Sequence, residues 1–289
     1  PETPMAKDHP SPNRREFLGT AGALLAFASL NPAEASESVA SLKKVGPVGV
    51  QLYSVRDAMK ADVAGTLAHV ARIGYKEVEF AGYFDKSPQE IRALLKKNGL
   101  TAPSAHIGFP VLGASWDKII ADAEVVGHRY LICPWIDEKL RTIDGYKQVA
   151  DLFNHAGERA RKAGMQFGFH NHDYEFPPID GQVPLDLLMT QTDPKLVAFE
   201  MDVFWITNAG KDPLAYFKRF SGRFPLLHIK DRDASGKMVS VGKGAIDWKA
   251  VLIHRAQAGT KHIFVEHDNP ADPFASIADS YAYLRKLNV

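Results

Sequence analysis

Gln166-Phe-Gly-Phe-His-Asn-His172 is an apolar run that ends in side chains able to hold a metal, and three later segments repeat its plan. They read Val197-Ala-Phe-Glu-Met-Asp202, Pro225-Leu-Leu-His-Ile-Lys-Asp231 and His262-Ile-Phe-Val-Glu-His-Asp268. Apolar runs this short, bounded by polar residues, read as buried parallel strands. A parallel barrel gathers the C-terminal ends of its strands around one mouth, so residues far apart in sequence meet there. His170, Asp202, His228 and Glu266 would bring two imidazoles and two carboxylates to that mouth. A mixed nitrogen and oxygen set without thiolate suits one divalent cation, with Mn²⁺ or Zn²⁺ the best match.

Strand and helix signals alternate on both sides of these segments. Val48–Tyr53, Glu77–Phe80, Ala102–Ile107 and Tyr130–Trp135 are the earlier strand candidates. Helical stretches follow each of them: Val63–Ile73, Pro88–Lys97 behind a Ser87 cap, Trp116–Val126, and Tyr146–Ala163 stopped by Gly164. Leu185–Thr190, Pro213–Phe220 and Trp248–Ala258 separate the later strands, and Ser276–Lys286 closes the chain. Strand–helix units of roughly 30 residues each, eight in number, predict an α/β fold, a single (β/α)8 TIM barrel. A doubly wound open sheet would need a Gly-rich phosphate turn after its first strand. Ser54-Val-Arg-Asp57 stands there instead.

The barrel is expected to span residues 47–289. Ahead of it, Asn13-Arg-Arg-Glu-Phe-Leu18 sets paired arginines before an apolar stretch from Leu18 to Leu30, and Ala33-Glu-Ala35 offers a cleavage site. The pattern resembles a twin-arginine export signal, which predicts a cleavable segment at 1–35, a flexible leader at 36–46 and a periplasmic protein. A short buried helix or a membrane anchor is the alternative. The stretch is shorter than the ~20 residues a bilayer span needs, so no stable membrane insertion is expected after cleavage. Lys and Arg number 35 against 34 Asp and Glu, which leaves no electrostatic footprint for nucleic acid. Cys133, the one cysteine, reads as a small buried hydrophobe and excludes an internal disulfide. The oligomeric state is not legible.

Gln51-Leu-Tyr-Ser-Val-Arg-Asp57, Val78-Glu-Phe80, Ser104-Ala-His106, Met201-Asp-Val-Phe204, His228-Ile-Lys-Asp231, Gly242-Lys-Gly-Ala-Ile-Asp-Trp248 and Val265-Glu266 resemble the sugar phosphate isomerase/epimerase family. This is the xylose-isomerase-like TIM-barrel superfamily, which also holds ketose 3-epimerases, inosose dehydratase and endonuclease IV. The resemblance implies metal ligation by Asp202, His228 and Glu266 at the ends of the sixth, seventh and eighth strands. Where the epimerases carry a further glutamate on the fifth strand, this chain has His170, with His172 on the same face of the strand. That departure breaks the opposed glutamate pair and looks more like the His-rich fifth strand of the inosose dehydratase branch. Either histidine can be the ligand, the other then facing substrate.

A divalent cation chelating a carbonyl and a neighbouring hydroxyl acidifies the adjacent C–H and stabilises the enediolate. A general base must lie within hydrogen-bond reach of that carbon. Glu266, Glu79 and Glu200 are the candidate bases, and His172 the candidate fourth catalytic group. His106 and Lys230 are expected as substrate contacts, and Trp135, Trp205 and Phe109 as an apolar platform for a sugar ring, though core aromatics look alike in sequence. Lone polar groups near strand ends are commonly hydrogen-bonded structural residues; four on successive strand ends argue for a site. Asp173, Tyr174 and Glu175 read as loop caps, and Gly242 and Gly244 as aids to a tight turn.

The leading expectation is a metal-dependent isomerase or epimerase of a free sugar or keto-sugar. The alternatives are a lyase or dehydratase of a keto-sugar or keto-inositol and a non-catalytic carbohydrate-binding barrel. An endonuclease would need a basic groove and more ligands.

Overall fold

The computed structural model of the chain describes residues 44–113 and 115–289. The expected export signal lies outside the described residues. Eight parallel strands close into a barrel: β1 (Gly49–Gln51), β2 (Glu77–Phe80), β3 (Thr101–His106), β4 (Tyr130–Cys133), β5 (Gln166–His170), β6 (Val197–Asp202), β7 (Leu226–Ile229) and β10 (His262–Val265). The closure runs β1–β10–β7–β6–β5–β4–β3–β2. Helices link consecutive strands and bury their apolar faces against the outside of the barrel in one extended core.

Local signals place most helix ends. Ser87 forms a full capping box with Glu90 ahead of Pro88–Asn98, which satisfies two otherwise unpaired helix N–H groups. Val63–Ile73 and Trp116–Val126 match their predicted bounds. Elsewhere the differences are short. β1 is three residues long because Leu52–Val55 turns into a 3-10 helix, held by Gln51 Oε1 accepting from Tyr53 N. The stretch predicted as one helix from Trp248 to Ala258 breaks at His254 into Trp248–Ile253 and Arg255–Ala258.

The lumen is layered. At its foot Ile132, Leu226 and Phe264 form a small apolar plug. Gly49 and Gly168 admit it: a Cβ on Gly49 would stand 2.4 Å from Phe264 Cδ1, and one on Gly168 2.7 Å from Ile132 Cδ1. Above the plug, Gln51, Glu79, Ser104 and Glu200 are all fully buried, a polar layer where such barrels are normally packed with aliphatic side chains.

Past β7 the chain makes a feature the sequence reading did not contain. Asp231–Arg232 (β8) pairs antiparallel with Met238–Val239 (β9). The buried Asp231 carboxylate then collects the loop beyond. It accepts from Arg232 N (2.8 Å), Gly242 N (2.8 Å), Gly244 N (3.2 Å), Ile246 N (3.3 Å) and Trp248 Nε1 (2.9 Å). A Cβ on Gly244 would fall 2.1 Å from Asp231 Oδ1. The two glycines therefore serve a turn, as expected, and the turn is wound around one aspartate.

Candidate active site

Strand register brings the strand-end residues together. His170 pairs with Glu200 across β5 and β6, Asp202 with His228 across β6 and β7, and Phe264 with His228 across β7 and β10. Residues two apart on a strand share a face, so Asp202 stands above Glu200, Lys230 above His228 and Glu266 above Phe264.

Two overlapping groups of ligand atoms result. Asp202, His228 and Glu266 offer atoms within 4.8 Å of one another, as do His106, His170, Glu200 and His228. His228 is the hinge between them. Its Nδ1 lies 2.7 Å from Glu266 Oε2, while its Nε2 lies 2.6 Å from Glu79 Oε2 and 3.1 Å from Glu200 Oε2. His170 belongs to the second group, with Nδ1 3.0 Å from Glu200 Oε2, and its Nε2 still reaches to 3.5 Å from Asp202 Oδ2. His106 Nε2 is 2.7 Å from Glu200 Oε2.

The electrostatics follow from burial and these neighbours. Burial alone would make His228 a weaker base, but Glu200, Glu266 and Glu79 around its ring hold its pKa well above the ordinary value. Lys230 is also buried, yet Asp202 (3.0 Å), Glu266 (2.8 Å) and Asp268 (3.0 Å) keep its ammonium charged. In turn, burial opposes ionisation of Glu266, but Lys230 and His228 hold its carboxyl well below the usual range. For Asp202 burial prevails over Lys230 and His228 and pushes the carboxyl up to about 6. Burial and the facing Glu200 raise Glu79. Glu79 accepts from Gln51 Nε2 at 2.8 Å and from Ser104 Oγ.

A divalent cation fits the upper group. Asp202 Oδ2 is buried, with the Lys230 ammonium at 3.0 Å but no well-formed hydrogen bond, and Asp202, His228 and Glu266 present oxygen and nitrogen atoms with no thiolate. Cys133 is buried and its thiol is pushed far above its ordinary pKa by that burial.

Over the ligands lies a cleft of about 760 Å³, lined by His106, His170, His172, Lys230 and Glu266 among others. Asp202, His228, Glu79 and Glu200 are fully buried and do not line it; Asp202 and His228 lie just under its floor, and Glu79 and Glu200 act on His106, His170 and His228 from below. Trp135 lines the cleft, with Phe109 beside it at 6.3 Å between ring centroids. Trp205 instead lines an adjoining cavity with Met238 and His267, though its ring lies 5.6 Å from that of His172.

Sequence reading missed what fixes His172. Its backbone N–H donates to Glu175 Oε2 at 2.7 Å, and its ring stacks on Tyr174 at 5.3 Å and 10°. Tyr174 is stacked in turn by the Arg141 guanidinium at 3.5 Å. Glu175 caps that loop, as expected, but does so from within the core. It is fully buried, and that burial pushes its carboxyl up to about 8. Burial, then the nearby Lys230, lowers His172 to about 3, so its imidazole is neutral. His172 Nδ1 is buried without a partner. A glutamate three residues beyond a strand-end histidine was the only signal in the sequence.

The family model for the xylose isomerase-like TIM barrel matches residues 67–287. The chain is 30% identical over 182 residues to the inosose dehydratase of Lacticaseibacillus casei, an alignment covering 55% of this chain and 59% of that enzyme. It thus spans less than two thirds of the curated relative's length. A solved sugar phosphate isomerase/epimerase from Parabacteroides distasonis superposes with a TM-score of 0.75 at 29% identity, covering 84% of this chain and 99% of that one. A second from the same organism gives 0.75 at 26% identity, over 88% and 98%.

Proposed function

This chain belongs to the xylose isomerase-like TIM barrel family, and on that premise we propose that it is a divalent-metal-dependent isomerase or epimerase of a free sugar or keto-sugar. One observation carries the reading. Glu266 is at once a member of the Asp202–His228–Glu266 group and a wall of the cleft, so an ionised carboxylate stands beside the place where a chelated carbonyl would sit. The proposed ligands are Asp202, His228 and Glu266 with His170 at the edge of the set. A cation held there supplies Lewis-acid stabilisation of the charge that develops on the carbonyl oxygen.

The remaining work falls to side chains of this chain. Glu266 accepts the proton from the carbon next to the carbonyl. Lys230, fixed by three carboxylates, keeps Glu266 ionised and presents positive charge to the developing oxyanion. His172 sits past β5, and β5 is separated from β10 by β6 and β7. Its neutral imidazole hydrogen-bonds the substrate from the far wall, where a proton returned to the opposite face would produce the epimer. Glu79 and Glu200 act as positioning groups beneath, while His106 lines the cleft and contacts the substrate.

A second reading, a lyase or dehydratase of a keto-sugar or keto-inositol, is favoured by the likeness to inosose dehydratase and by His170 standing where a second carboxylate would serve an epimerase. The two share the first step. A panel of keto-sugars and keto-inositols in D₂O, read by NMR, tests it: the isomerase should exchange the hydrogen next to the carbonyl for deuterium and keep every hydroxyl, whereas the lyase should lose that hydrogen together with the β-hydroxyl as one water. Glu266→Gln should lower exchange by about 10²–10⁴. An effect under about tenfold would remove Glu266 from the role, and sugar binding with no exchange would support the non-catalytic barrel. Export through the twin-arginine route to the periplasm is part of the proposal and rests on Arg14, Arg15 and the Ala33-Glu-Ala35 site.

A further inference from the structure

Only three large apolar side chains are exposed among the described residues: Tyr53 at 43%, Trp135 at 39% and Ile253 at 48%. Two of the three, Tyr53 and Trp135, line the same cleft. Exposed aromatics that gather at one cleft mark a contact surface for a ligand.

Their position in the barrel gives the surface a direction. Tyr53 follows β1 and Trp135 follows β4, and the rim between them belongs to β2 and β3. Where the cleft meets that rim its lining is Ala81, Gly82 and Gly108. A Cβ at Gly82 would have no heavy atom within 4 Å, and one at Gly108 only Pro110 Cδ at 3.8 Å. The rim is therefore low and open where the two aromatics flank it. The opposite side of the cleft is closed by bulky or charged side chains, His172, Tyr174 and Lys230.

Both aromatics are propped. The Arg56 guanidinium lies 4.3 Å from the Tyr53 ring centroid, and Arg56 is itself tied to Asp268 O (2.6 Å) and Asn269 Oδ1 (2.8 Å). Trp135 leans on Phe109. Preset rings of this kind lose little entropy on binding. The cleft volume of about 760 Å³ also lies toward the upper end of the ~300–1,000 Å³ that small-molecule sites span, more than one sugar ring at the ligand group requires. Asn269 and Arg141 add polar groups to the same walls, which suits hydroxyls more than a flat apolar group.

We infer that the cleft holds a two-ring carbohydrate: one pyranose at the Asp202–His228–Glu266 group, and a second, glycosidically linked, passing out over the β2–β3 rim between Tyr53 and Trp135. The inference rests on the carbohydrate reading above and narrows its substrate class from single sugars to glycosides.

The full chain, purified with Mn²⁺, is titrated calorimetrically with D-glucose and with cellobiose, maltose and trehalose. At least one disaccharide should bind about tenfold more tightly than glucose. Trp135→Ala and Tyr53→Ala should each weaken that disaccharide by about fivefold, the scale of one aromatic contact, and change glucose less than twofold. Gly108 has an ordinary backbone conformation, φ −58° and ψ 139°, and free space, so Gly108→Trp should fold, leave glucose binding unchanged and abolish the disaccharide's advantage. Glucose and all three disaccharides binding alike, or aromatic truncations that weaken both ligand sizes equally, would overturn the second-ring site and leave the carbohydrate reading intact. Failure of every sugar to bind would overturn both.

Discussion

Lys230→Met keeps the length of a buried side chain and deletes its charge. In the folded protein Lys230 is 2% exposed, and its ammonium lies within 3.0 Å of carboxylate oxygens from Asp202, Glu266 and Asp268. Asp202 and Glu266 are buried as well, so the variant strands negative charge that water cannot reach. Removing one partner of a buried ion pair costs about 3–5 kcal/mol, and in a fold of this size 1 kcal/mol corresponds to about 2–4 °C. The metal-free variant should therefore melt about 6–20 °C below the parent. A divalent cation at the proposed ligands would share these carboxylates, and at about 1,000 times its dissociation constant it would contribute about 4 kcal/mol. Mn²⁺ should then return most of the loss, and should stabilise the variant more than the parent, where Lys230 competes for the same oxygens. Circular-dichroism melts in EDTA and in MnCl₂ measure all four states. A metal-free variant melting within about 2 °C of the parent would refute the idea that Lys230 holds these carboxylates. Equal Mn²⁺ stabilisation of both proteins would refute the idea that ammonium and cation share them.

Asp202→Ala should purify without the one divalent ion per chain expected of the parent, as metal analysis by mass spectrometry would show; full occupancy in the variant would place the ion elsewhere. Glu175, with its folded pKa raised by burial to about 8, contributes stability that is complete below the unfolded value near 4.5 and is lost as pH rises through 8. The loss runs at up to about 1.4 kcal/mol per pH unit. Glu175→Gln keeps the acceptor for His172 N and has no charge, so its urea midpoint should match the parent near pH 4 and exceed it at pH 8.5; parallel pH profiles would count against a protonated Glu175. Replacing Arg14 and Arg15 by lysines should hold the protein in the cytoplasm on cell fractionation, and unchanged periplasmic delivery would rule out the twin-arginine route.

The barrel was legible because its strands are apolar runs of buried parallel type, and their order made β6 and β7 neighbours; the register that joins Asp202 to His228 came only with the structure. Two-residue strands such as β8 and β9 carry no periodicity and could not be read. Depth was also hidden. Glu200 shares a face with Asp202, as the period-2 rule requires, but two residues along a strand is about 6.6 Å toward the barrel floor. That offset sets Glu200 deeper, in the network of His106, His170 and His228. Glu79 is lower for the same reason, level with Gln51 and Ser104. Glu175 was legible as a loop cap, but not its charge state, which depends on surroundings from distant segments.

The Asp231 carboxylate gathers the chain before and after the β8–β9 hairpin into one knot, directly beside Lys230 on the strand that lines the site. Everything between Asp233 and Lys237 hangs beyond that knot as a self-contained turn, closed by Asp233 N to Lys237 O at 2.9 Å, with Ala234 and Ser235 exposed at its tip. Just behind the tip, Met238 Sδ accepts from Asp268 N at 3.2 Å, and Asp268 is one of the three carboxylates on Lys230. A dye-bearing cysteine grafted at the exposed tip would therefore stand outside the knot yet one strand away from a wall of the site, a place from which the site can be watched in solution.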